Sequence, residues 1–225
     1  MMGGLLWTMI PLVLGNILVP SQVGMTLLLL LRQRDGTSAA IALISGIVSM
    51  RVLQGLVFGL IFTGVSATIG HKSSDPVVSA FLIGLGLLLY AAATKVLLTN
   101  EDPDAPPPKW MTMAQSMSPR LAYGVGAALP LIGAKFWVFT LSAVAAIRNA
   151  DLGYIAGSLA FVLYAVLSCA LLIFIVGLRV AGTPWSLRAL EGIAAWLKRH
   201  NKLIAVVLGA FFGTWFLGNG LAGLM

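Results

Sequence analysis

With 225 residues, 59% of them hydrophobic and only 9% charged, the chain departs far from a soluble domain, in which about a quarter of residues are charged. A mean hydropathy of +0.99 and a net charge of +7 describe an integral membrane protein with basic loops. The charge is divided among loops rather than gathered on one surface, so nucleic acid is not an expected partner.

Apolar runs long enough to cross a hydrocarbon layer of ~30 Å lie near 5 to 31, 38 to 67, 76 to 99, 121 to 147, 152 to 178 and 203 to 223. They are continuous and rich in Leu, Ala and Gly, which predicts helices and excludes the short alternating strands of a membrane barrel. The expected fold is therefore an all-α integral membrane protein with six transmembrane helices.

The first span opens with "MMGGLLWTMIPLVLGNILVP". It lacks the basic leader of an export signal and is expected to be retained. Gly15, Asn16, Pro20, Ser21, Gln22 and Gly24 then crowd one region of it. Proline removes a backbone donor and opens a carbonyl one turn back, so this span should be broken and should present polar backbone at depth.

The second span carries Arg51, Gln54 and the small-xxx-small run "GLVFG". After the third comes "NEDPDAPPPKWMTMAQSMSP", whose acids and prolines predict a cytoplasmic linker over residues 100–119. The fourth span repeats the signs of a break, with Gly124, Gly126, Pro130 and Gly133 ahead of Lys135. Span five contains Cys169, the only cysteine, which excludes an internal disulfide or a thiol relay.

The stretch 184–200 is amphipathic. Thr183 can cap it and Pro184 suits its first position. Leu187, Leu190, Ala194 and Leu197 share one face, while Arg188, Glu191, Lys198 and Arg199 gather on the other, with Trp185 and Trp196 at the boundary. This predicts a helix lying along the inner leaflet before the last span, either as a topological anchor or with Arg188, Lys198 and Arg199 taking anionic lipid headgroups. The last span holds a second small-xxx-small run, "GAFFG", read with the first as internal helix packing.

Basic residues set the orientation. Loops one-two, three-four and five-six hold Arg32, Arg34, Lys95, Lys109, Arg120, Arg179, Arg188, Lys198, Arg199 and Lys202, against Lys72 and Arg148 on the opposite side. The positive-inside rule then puts both termini outside a multi-pass plasma (inner) membrane protein. Three spans on each side of the linker would enter in opposite directions, giving two inverted three-helix halves, 1–99 and 120–225.

Arg51 and Lys135 each lie about 13 or 14 residues from the cytoplasmic end of a span, roughly 20 Å deep. A cation there costs ~2.5 to 3.5 kcal/mol on insertion scales, so each must reach a partner. No Asp or Glu lies within a span. The partners left are carbonyls freed by the breaks, polar side chains such as Asn16, Gln22 and Gln54, water, or an anionic ligand. Two settings satisfy this: snorkelling with carbonyl contacts, or the lining of a substrate pathway.

Without membrane carboxylates, proton-coupled carriage of the usual kind has no coupling group, and metal transport lacks ligands because His71 and His200 sit at loop boundaries. No Ser/His/Asp or paired-carboxylate arrangement clusters at one depth, so the protein is not expected to be an enzyme or to need a cofactor.

The order of these features resembles a known family. A proline-broken first span ("ILVPSQVGMTLLLLLRQRDG"), a lysine after a break in span four ("LPLIGAKFW") and a tryptophan-bearing basic helix before the last span ("LEGIAAWLKRHNKLIAVVLGAFFGTWFLGNGL") are similar to the GAP/Sap group. These are the glycopeptidolipid- and sulfolipid-addressing proteins of the LysE translocator superfamily. The superfamily's usual Pro-Gly-Pro and Asn-Pro-Lys read here Pro20-Ser21-Gln22 and Gly133-Ala134-Lys135, so Pro20 and Lys135 carry over while their neighbours do not.

The resemblance implies an inner-membrane transporter or transport accessory that moves a polar or anionic envelope (glyco)lipid outward. The alternatives are an exporter of small metabolites such as amino acids, and a non-transporting adaptor for a larger lipid exporter. Membrane lipids, such an exporter and a second copy of the chain are the expected partners. The expected substrate site joins Lys135, Arg51, Pro20, Asn16, Gln22, Gln54, Gly133 and Pro130.

Overall fold

A computed structural model of the chain describes residues 2–17, 19–32, 35–68, 76–98, 113–114 and 116–222. Among them, nine helices have defined bounds: α1 Met2–Ile17, α2 Pro20–Leu30, α3 Gly36–Thr68, α4 Pro76–Leu98, α5 Pro119–Ile132, α6 Ala134–Asn149, α7 Gly153–Leu167, α8 Ala170–Ala181 and α9 Pro184–Ala222. No strand occurs among the described residues.

The breaks follow from local chemistry where proline or glycine is present. Pro20 stands at the start of α2, and the residue before it, Val19, is extended at φ −94° and ψ 102°. Steric conflict with the proline ring pushes that residue out of the helical region. The segments Trp7–Ile17 and Pro20–Leu30 are consequently bent by 51°. In the fourth expected span the chain leaves α5 at Gly133, extended at φ −85° and ψ 107°, and Pro119–Ile132 meets Phe136–Asn149 at 74°.

A third break was not expected. Span five, predicted as one helix over 152–178, is two, α7 and α8, bent by 55° at Ser168–Cys169. No proline or glycine marks the place. A tight turn does, in which the Cys169 N–H bonds the carbonyl three residues back, Val166, instead of four.

Gly36–Gly59 within α3 and Lys202–Ala222 within α9 are each long and apolar enough to cross a membrane, and each of the three bent pairs is so when taken as one span. Helix α4 occupies the place of the expected third span, with its apolar stretch at Gly86–Leu98. On α7, Ile155, Leu159 and Leu163 recur one turn apart and are 76%, 65% and 58% exposed. Such a stripe belongs against lipid tails rather than water. The protein is embedded in a membrane.

The predicted linker over 100–119 lies outside the described residues from 100 to 112. Its end is a helix start: Ser118 Oγ accepts from the Leu121 N–H at 3.3 Å, and Pro119 takes the first position of α5. Thr183 caps α9 as expected, its Oγ1 accepting from the Ser186 N–H at 3.1 Å. The interfacial segment and the last span are not separate elements, however. They form one uninterrupted helix, since no proline or glycine falls between Gly192 and Gly209 to stop it.

The chain divides into two compact units, Met1–Thr63 with Pro107–Ala195, and Gly64–Pro106 with Trp196–Met225. In the first, α1 packs on α6, α7 and α8, α2 on α8, and α6 on both α5 and α7. Helices α3 and α5 cross backbone to backbone. A Cβ on Gly46 would strike the Tyr123 carbonyl, and one on Gly126 would strike that of Leu43.

In the second unit α4 and the end of α9 run antiparallel. Gly220 lies by Ser79, Gly213 by Tyr90 and Gly209 by Ala93, and the Tyr90 and Thr214 hydroxyls bond at 2.5 Å. The two glycines of "GAFFG" thus pack inside the chain, as predicted. Of "GLVFG", Gly55 abuts Phe161 and a Cβ on Gly59 would meet nothing within 4 Å.

Candidate functional site: a buried arginine among three helix breaks

Arg51 sits in the interior of α3 with 1% of its surface exposed. Its Nη2 donates to Asn16 Oδ1 at 2.8 Å, and its Cζ lies 5.7 Å from the centroid of the Phe136 ring. The ring face supplies partial negative charge to a desolvated cation. Arg51 Nη1 is buried and has no hydrogen-bond partner among the described residues.

Asn16 comes from the last turn of α1, next to the first break. Its Nδ2 donates to the Leu12 carbonyl at 3.1 Å and to the Tyr164 hydroxyl at 2.9 Å. Tyr164 in turn lies four residues before the third break, at the end of α7. One asparagine therefore ties the arginine to two breaks.

The second break enters through Gln54 and Phe136. Gln54 follows Arg51 by three residues on the same face of α3, and its Nε2 donates to the Pro130 carbonyl at 3.3 Å. That carbonyl is available because the helix ends at Ile132, which removes its usual donor four residues on. The neighbouring carbonyl of Leu131 is satisfied differently, by Trp137 Nε1 at 2.8 Å. Gln54 Oε1 is buried without a partner among the described residues, as is Gln22 Nε2 in the first turn of α2.

Of the eight residues expected at the site, Arg51 and Asn16 are thus joined by one direct contact and Gln54 and Pro130 by another, the two pairs sharing one face of α3. Pro20 and Gly133 form the breaks themselves. Gln22 is buried near the first break, with no hydrogen bond tying its side chain to the arginine. Lys135 lies in the first turn of α6, beside Phe136, and its side chain falls outside the described residues.

Of the three expected headgroup residues, Arg188 is exposed and turns its Nε back to the Pro184 carbonyl of its own helix at 3.3 Å. Arg199 is exposed, and the Lys198 side chain lies outside the described residues.

Phe136, Trp137 and Tyr164 were not singled out from sequence. For the last, the signal was its pairing with Ser168 one turn on, two buried polar side chains on one face of an apolar helix beside the unmarked third break.

The ensemble is a permanent cation with an N–H unpaired among the described residues, held in the protein interior by neutral hydrogen-bonding groups. Among the described residues no carboxylate joins it, and it offers a favourable place for an anion or a strong acceptor.

Apolar helices, with three breaks around a buried arginine, define a helical membrane-embedded protein with a charged centre inside its helix packing. The chain belongs to the Sap, sulfolipid-1-addressing protein family, whose model matches residues 9–222. Comparison with curated proteins and with solved structures gives no match.

Proposed function

We propose that the protein moves a polar or anionic envelope lipid outward across the inner membrane, as a transporter or as the membrane accessory of a larger lipid exporter. The observation that carries this reading is Arg51: a buried guanidinium with one nitrogen unpaired among the described residues, set among three helix breaks in a chain whose long apolar runs contain no acidic residue. The family's description, which ties it to sulfolipid addressing, supports a lipid as the cargo.

In this reading the helices form six spans in two inverted halves, with both termini outside. Pro20, Pro130 and Gly133 shape the pathway. Arg51, Lys135, Asn16, Gln22 and Gln54 face the headgroup, and no chemical step on the cargo is involved. Broken helices expose backbone groups at membrane depth, and such irregular backbone is tolerated where it lines a polar cavity.

The test is Arg51→Met and Lys135→Met, each in a deletion strain of the native host with protein levels matched by immunoblot. Extracted surface lipids would be resolved by mass spectrometry. Loss of one polar lipid class from the surface, with its accumulation inside, is expected; unchanged surface lipid in both variants would reject the site. Efflux of amino acids into the medium without a lipid change would favour a metabolite exporter. Reconstitution of the purified chain in liposomes separates transporter from accessory, since only the former moves lipid alone.

A further inference from the structure

A hydroxyl on a helix commonly bonds a carbonyl one turn back, and several in this chain do so. Thr26 Oγ1 donates to the Gln22 carbonyl at 2.9 Å, Ser186 Oγ to that of Thr183 at 2.8 Å and Thr214 Oγ1 to that of Ala210 at 2.8 Å. Ser168 is different. It ends α7 at the third break, is 1% exposed, and its Oγ has no hydrogen-bond partner among the described residues. A buried hydroxyl left so is costly unless something outside the chain accepts its proton.

Arg51 reaches the same place. Its Nη2 and the Tyr164 hydroxyl bond the two ends of one amide, Asn16, at 2.8 and 2.9 Å. Tyr164 stands one turn before Ser168, and their hydroxyls lie close without closing a hydrogen bond of normal geometry. The guanidinium's charge acts both on the Tyr164 hydroxyl and on Cys169, the residue after Ser168. Donors dominate this corner. Arg51 Nη1 has only protons to give and no partner among the described residues; Tyr164 already accepts from Asn16 and has its own proton left to give; Ser168 adds a third donor. The missing partner is therefore an acceptor.

We infer that the third break holds a small inorganic anion of halide size, bound by Arg51 Nη1 and the hydroxyls of Tyr164 and Ser168, which pairs the arginine while no cargo is present. In the lipid-moving reading proposed above, on which this role rests, an arriving headgroup displaces the anion; binding of the anion itself does not require that cargo. Charge and size select the occupant. Water accepts the same protons but leaves the guanidinium unopposed, whereas an anion supplies acceptor and charge together. Phosphate or sulfate would bring several oxygens to three donors and leave most of their lone pairs unsatisfied among atoms closed to solvent. The opposing account is internal: Gln54 Oε1, also buried without a partner among the described residues, turns to Arg51 Nη1 from three residues along α3.

The experiment follows thermal unfolding of the full purified chain in uncharged detergent, titrating sodium chloride, bromide or sulfate against sodium gluconate at constant ionic strength. Wild-type protein should unfold at a temperature that rises with chloride or bromide along a binding isotherm, and sulfate should not reproduce the rise. Ser168→Ala removes one donor and an orphaned hydroxyl together. It should fold normally in gluconate and need about tenfold more chloride for the same shift, as for one lost hydrogen bond to a charged group. Arg51→Met should show no chloride response, and Ser38→Ala, at the exposed start of α3, should behave as wild type. Equal midpoints in chloride and gluconate, the result expected if Gln54 alone serves Nη1, would overturn the proposal. So would a larger rise in sulfate, the mark of a general salt effect, or an unchanged chloride response in Ser168→Ala, which also decides the matter if Arg51→Met fails to fold. Export lost in Arg51→Met with no chloride response in wild type rejects the anion alone, whereas a chloride response with export intact in Arg51→Met rejects the lipid pathway alone.

Discussion

Arg51 Nη2 and Asn16 Oδ1 meet at 2.8 Å across 35 positions of sequence, and the contact fastens the middle of α3 to the first helix break. The partner is a neutral amide, not a carboxylate. Among the described residues no carboxylate meets the arginine, and the hydrogen bond to Asn16 and the Phe136 ring offset part of the cost of its burial.

Asn16 should separate folding from transport. Asn16→Leu removes the acceptor and leaves the guanidinium doubly unpaired, and thermal unfolding in detergent should register a loss of about 1–3 kcal/mol. Asn16→Asp supplies a counter-charge of the same size. It should fold at least as stably as Asn16→Leu but fail in lipid export, because the arginine is then neutralised; normal export by this variant would detach Arg51 from cargo binding.

Tyr164 and Asn16 should act as a coupled pair. Tyr164→Phe deletes the hydroxyl that accepts from Asn16 Nδ2, at an expected cost of about 0.5–1.5 kcal/mol. Adding it to Asn16→Ala should cost less than the sum of the two, and a double-mutant cycle would measure coupling of about 0.5 kcal/mol or more. Strict additivity would mean that the hydrogen bond contributes nothing net.

Two glycines of α5, one half-turn apart, should respond in opposite directions. Gly126→Leu would drive a side chain into the Leu43 carbonyl, so monodisperse protein should be lost on size-exclusion chromatography. At Gly124 a Cβ meets nothing within 4 Å, and Gly124→Ala should raise stability by up to about 1 kcal/mol through helix propensity.

The end of α2 is tied to distant parts of the chain, once through a side chain of α8 and once through its own trailing Arg32. Arg179 Nε donates to the Leu30 carbonyl at 3.0 Å, and Arg32 Nη1 to the Met117 carbonyl at 2.7 Å. Arg179→Ala should remove about 1–2 kcal/mol of local stability and speed amide hydrogen exchange at Leu31 and Arg32. Unchanged exchange there would show that the last turn of α2 holds itself.

The membrane setting was legible in composition alone, since the energetic demand of a ~30 Å apolar layer leaves few alternatives to long apolar helices. The breaks at Pro20 and Gly133 were equally legible. A proline's effect on its own φ, its missing N–H and the residue before it is local, and local rules act whatever the rest of the chain does. That Arg51 would be buried, with no acid in any apolar run to meet it, followed from counting along the sequence. So did the Thr183 cap, which involves only residues three apart.

Other features belonged to the tertiary structure. The turn at Ser168–Cys169 has no proline or glycine behind it, and the junction of the interfacial segment with the last span has nothing in its composition to break it. Among several polar candidates, Asn16 became the arginine's partner, and Phe136 and Tyr164 joined it, because the packing of α1 on α6 and α7 brings two breaks to the same place. The sequence by itself determined that a cation would be buried without an acid, because charge and depth are properties of one helix. Which groups surround that cation was decided only when separate helices packed, because a hydrogen bond between residues 148 positions apart depends on the whole arrangement and on no local rule.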